Sequence, residues 1–163
     1  MRRGGLIILV IVTALLWLGP PSAATAQTTL TEITPFSFGR FSLRNNTAAH
    51  ELIVNAATNI VTADAPFVVD IDPQRGEYLL EGFDPGEEIT ITIDDGGLTL
   101  NGGGGTEVFA TVDYTISPSP VIAGGGGDVT FYVGATLRTL GNGVTYPTGT
   151  YNDDLDIQFD WVP

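Results

Sequence analysis

The 163-residue chain has no cysteine, one histidine and one methionine. It also has no lysine: its six cations are Arg2, Arg3, Arg40, Arg44, Arg75 and Arg138. Without cysteine there is no disulfide framework and no thiolate zinc site, so stability must come from packing. The lone His50 leaves little room for nucleophilic catalysis. A Ser-His-Asp site needs a nucleophile in reach and an oxyanion hole, and no serine lies in a Gly-x-Ser-x-Gly setting. His50 therefore reads as a surface residue beside a turn. No segment sustains the 3.6-residue apolar period of a helix.

Long apolar runs are also missing, except at the start. Met1-Arg2-Arg3 is a short positive region, Leu6 to Leu18 is apolar but for Thr13, and Ala24-Thr25-Ala26 is a small-x-small cleavage pattern. This predicts a signal peptide over residues 1–26 and a mature chain from Gln27. The alternative is an uncleaved anchor, but the run is shorter than the roughly 20 residues of a membrane span. The expected protein is exported to the periplasm, cell surface or medium. Residues 27–163 have the size of one domain.

Charge is one-sided. All 19 acidic residues follow the leader, and four arginines oppose them, which leaves a mature net charge of −15 with His50 neutral. Nucleic acid is excluded as a partner by this balance, because phosphate binding needs neutralising cations.

What the chain does have is alternation. Leu155, Ile157, Phe159 and Trp161 fall on one face of a closing strand, with Asp156, Gln158 and Asp160 on the other. Asp128 to Leu137 reads as a long β-branched and aromatic strand. Ile89, Ile91 and Ile93 alternate with Thr90 and Thr92, and Asp94-Asp95-Gly96-Gly97 is a hairpin turn. Val108 to Ile116 forms another strand, closed by Pro118 and Pro120. Phe36 and Phe38 fall on one parity, Phe41 and Leu43 on the other, which predicts a bulge at Gly39. About eight to ten short strands punctuated by Gly, Pro, Asn and Asp predict an all-β, antiparallel β-sandwich.

Few side chains suggest chemistry. The runs Gly102–Gly105 and Gly124–Gly127 lack the helix and the lysine of a phosphate loop and read as flexible hairpin connections. Asp94, Asp95, Asp153 and Asp154 are weak candidates for calcium. Tyr146 and Tyr151 are weak candidates for a sugar platform. Solvated turns and edge packing explain the same residues. No catalytic residue and no cofactor site is expected.

Several motifs together carry a resemblance: Phe38-Gly39, the turn Gly82-Phe83-Asp84-Pro85-Gly86, Phe131-Tyr132-Val133-Gly134-Ala135-Thr136-Leu137, Gly149-Thr150-Tyr151, and the closing strand ending at Trp161. The chain resembles a secreted bacterial family, domain of unknown function 4402. That family is similar in layout to spore-coat-U-like proteins and to the pilins of chaperone–usher fimbriae. The resemblance implies an immunoglobulin-like sandwich and a structural subunit that assembles by strand addition. Its partners would be itself, related subunits and a periplasmic chaperone, and Leu30 and Ile33 would be the donor residues. The competing expectation is a monomeric extracellular binding module for carbohydrate or calcium.

Overall fold

The computed structural model describes residues 28–94, 101–102, 112–146, 151–152 and 155–162. In chain order the strands are β1 (Thr29–Thr34), β2 (Arg40–Leu43), β3 (Glu51–Val54), β4 (Val61–Ala63), β5 (Phe67–Ile71), β6 (Gly76–Glu81) and β7 (Glu88–Asp94). They continue with β8 (Asn101–Gly102), β9 (Val112–Ser117), β10 (Val121–Ile122), β11 (Asp128–Arg138), β12 (Tyr151–Asn152) and β13 (Asp156–Trp161). The described residues contain no helix, and all their strand pairings are antiparallel. Of these strands β8, β10 and β12 are two-residue pairings, too short for any sequence pattern to reveal.

The longest strand, β11, is the axis of the molecule, with 11 residues. Tyr132 and Val133 pair with β6 on one edge and β9 on the other. Ala135 to Leu137 pair with β3 and, again, β9. So β6 and β3 follow each other along one edge of β11 while β9 covers the other. They meet at Gly134, where a Cβ would run into the Val54 carbonyl and the Ala56 amide. β1 adds outside β6, and β4 outside β3.

Phe131, Val133, Ala135 and Leu137, every second residue of β11, are all essentially buried. They share one face, because side chains alternate along a strand. Two hydrophobic cores lie on that face. In the first, Phe131 and Val133 meet Tyr78, Leu80, Phe83 and Ile89, under the sheet β10-β7-β13. In the second, Ala135 and Leu137 meet Leu52, Phe67 and Val112, with Phe41 and Leu43 of the β2-β5 pair packed against them. The fold is thus a β-sandwich whose second layer is two short sheets. Phe41 against Phe67, rings edge to face at 5.2 Å, anchors the smaller one.

Local sequence explains the joints. Gly39 adopts a left-handed φ of 69°, and the β2-β5 register slips between Arg40 and Phe41. That slip brings Phe36, Phe38, Phe41 and Leu43 to the same core, as the change of parity requires. β1 stops before Pro35 and β9 stops at Ser117, before Pro118. The Gly82–Gly86 turn inserts Phe83 into the first core.

Two expectations are corrected. The Gly124–Gly127 run is neither a hairpin nor loose: it joins β10 of one layer to β11 of the other. The Gly127 carbonyl accepts the Gly82 and Phe83 amides at 3.1 and 3.0 Å, which binds this loop to the preceding turn. His50 is only partly at the surface. Its side chain is 18% exposed, with Nδ1 3.7 Å from the Asp64 carboxylate. Its backbone exchanges hydrogen bonds with Thr139, which is itself buried and holds it down.

The leader, the turn at Asp95 to Gly97, Gly103 to Gly105, Val108, Ala110, Gly149, Thr150, Asp153 and Asp154 lie outside the described residues.

Candidate functional site

The closing strand pairs with β7 over its length, Ile157 opposite Ile93, Phe159 opposite Ile91 and Trp161 opposite Ile89. Leu155, Ile157 and Phe159 pack on the first core but remain half-buried. Trp161 keeps the inward parity yet sits at the rim, 39% exposed, its ring edge-on to Phe83 at 5.2 Å. On the outer face Asp156 lies directly across from Asp94.

β1 pairs with β6 of its own chain, from Thr29 opposite Glu81 to Thr34 opposite Glu77, with an irregularity after Glu32. Leu30 shares a row with the buried Leu80, and Glu32 with Tyr78. These two β1 residues therefore point to the inner side of the sheet, while still being exposed. Leu30 is 38% exposed and Ile33 53%.

Between β1 and β13 the sandwich stays open. A cavity of about 600 Å³ is lined by Leu30 and Glu32 on one side, Leu155, Asp156 and Ile157 on the other, and Phe36, Tyr78 and Tyr114 within. Leu155, Asp156 and Ile157 are consecutive, and in a strand their side chains leave opposite faces. All three line the cavity, which places the start of β13 at its wall. Among the described residues β13 has no strand partner except β7.

The aromatic floor is well held. The Tyr78 ring stacks on Phe131 with centroids 5.4 Å apart, and Phe36 meets Tyr114 edge to face at 5.9 Å. Gly76 leaves the space both need: a Cβ there would lie 2.6 Å from the Tyr78 ring and 3.2 Å from the Phe36 Cβ. Glu32 stands directly across the β1-β6 pairing from Tyr78. Burial first, and the Glu32 charge second, push this phenol from 10.0 up to about 12, against a hydrogen bond from the Phe36 backbone that acts the other way. No arginine lines the mouth. Arg40 pairs with Asp70, and Arg138 with Glu51. Arg75 lies 3.6 Å over the Tyr132 ring and donates to the Ala56 and Ala57 carbonyls.

Most of the expected calcium and sugar candidates lie outside the described residues. Of the four aspartates only Asp94 is described, and no three acidic or imidazole groups converge among the described residues. Tyr146 packs on the second core, and its hydroxyl accepts the Leu140 amide at 3.0 Å. That makes it a loop anchor rather than an open platform. The side chain of Tyr151 lies outside the described residues. Sequence reasoning missed Glu32, Tyr78 and Tyr114, because three separate strands bring them together. The available signal was two tyrosines at inward positions, since a buried phenol requires a partner for its hydroxyl.

The family model described as domain of unknown function 4402 matches residues 28–160. No curated protein and no solved structure matches the chain.

Proposed function

The chain belongs to the family described as domain of unknown function 4402, and from that premise we propose that it is an exported, non-enzymatic surface or structural subunit that assembles by exchange of β1. The leader pattern supports export. One observation carries the assembly reading. β1 is the first described strand, it pairs only with β6 among the described residues, and five of its six residues are exposed. Such a strand can leave its own sheet at small cost and pair in the same register with β6 of a neighbour. Strand addition of this kind uses backbone hydrogen bonds for affinity and alternate side chains for register, here Leu30 above all.

The test is light scattering after size exclusion on the mature protein, beside a version lacking residues 27–35. Oligomers from the first and monomers from the second are expected. Stable monomers from both would remove the subunit reading. That outcome would favour the second reading, a monomeric binding module, which the open mouth between β1 and β13 supports.

A further inference from the structure

We propose that the mouth between β1 and β13 binds an extended, basic peptide segment of a partner protein, added along the edge of β13 away from β7. Three observations converge on this occupant. First, Asp156 and Ile157 of β13 line the cavity, and among the described residues this strand pairs only with β7, so its other edge can take a peptide backbone. Second, Leu30 and Ile157 offer apolar contact to alternate residues of such a strand, while the rings of Tyr114 and Phe36 lie within the same cavity. Third, Glu32 of β1 and Asp156 of β13, the latter from the strand's outer face, both border the cavity, with no arginine among the lining residues. Carboxylates flanking aromatic rings select a lysine or arginine side chain, through ion pairing and contact with the ring face.

The same charge argues against a second copy as the occupant. The chain has no lysine, and β1 itself carries Glu32, which would meet Glu32 and Asp156 of the neighbour. Exchange of β1 onto β6 leaves this mouth open, so the inference goes beyond the assembly reading and does not depend on it. Glu32 is the cross-strand neighbour of Tyr78, which sets one carboxylate beside the aromatic rings.

Titration calorimetry on the full mature chain tests this with synthetic peptides. A peptide of alternating Val and Lys is expected to bind at one site, and one of alternating Val and Glu is not. Affinity should weaken with added salt. Combined Glu32→Gln and Asp156→Asn should weaken it roughly five- to tenfold, since two partly exposed ion pairs are lost. Asp72→Asn, beyond the end of β5, should leave it unchanged. A Val/Lys peptide N-methylated at alternate amides, tried on the unaltered chain, should bind far more weakly, because it cannot pair with a strand edge. Equal binding of the acidic peptide, equal binding of the methylated peptide, no binding of the basic peptide, or an unaffected double variant that melts normally would each overturn the proposal.

Discussion

β6 carries one strand on each edge, and the two differ in every respect but backbone pairing. β11 on one side places Phe131 and Val133 at 0% exposure in the first core. β1 on the other side pairs over a similar length yet leaves five of six side chains exposed. A net backbone hydrogen bond contributes only about 0.5–1.5 kcal/mol, whereas a buried large apolar side chain contributes about 1.5–3 kcal/mol. The contrast teaches that β11 is fixed by what its side chains fill, and β1 is held mainly by its ladder. A strand held mainly by its ladder is the one that can change partners.

The sharpest way to break this comparison is at Phe131. Phe131→Ala should destabilise the fold by about 3–5 kcal/mol, read by denaturant unfolding, because it opens a cavity where Tyr78 stacks. Phe159→Ala on the half-buried face of β13 should cost less, about 1–3 kcal/mol by the same assay. A cost equal to that of Phe131→Ala would mean β13 is buried far more deeply than described. Tyr78→Phe removes a buried phenol hydroxyl beside Glu32 and should cost about 1 kcal/mol at neutral pH. Its larger signature lies at high pH. The folded chain keeps the Tyr78 proton to about 12, while the unfolded chain releases it near 10.0. Between those values the unfolded state binds fewer protons, so this contribution is complete below about pH 10 and is lost as pH rises toward 12. Melting temperatures across that window should fall in the parent, and by less in Tyr78→Phe. The smallest effect is expected on β1: Leu30→Ser should cost less than about 1 kcal/mol in folding. If assembly uses this strand, the same change should weaken oligomers more than it weakens the fold.

Much of this architecture was legible in the residues. Ile89, Ile91 and Ile93 alternate with Thr90 and Thr92, and so do the residues of the closing strand, because a sheet wet on one face imposes a period of two. The slip at Gly39 was readable because Phe36, Phe38, Phe41 and Leu43 could reach one core only through an extra residue. The pairings were not readable. Nothing local in Val54 or Gly76 shows that β3 and β6 end against the same glycine of β11. The mouth was hidden for the same reason: Glu32 and Tyr78 meet only through the β1-β6 register, and Asp156 comes from the other layer. The turn glycines misled in one respect. Gly124–Gly127 has the composition of a loose linker, and tertiary hydrogen bonds from Gly82 and Phe83 make it a joint.

The absence of cysteine offers the most direct test of β1 exchange. Thr29 and Glu81 are exposed and directly opposite across the β1-β6 pairing. Thr29→Cys and Glu81→Cys are made in separate chains, mixed, allowed to assemble and then oxidised. Disulfides joining one chain of each kind are expected, and the two changes in a single chain, oxidised beforehand, should give a stapled monomer that no longer assembles. Mixed chains that never cross-link, or stapled chains that assemble as well as the parent, would contradict β1 exchange.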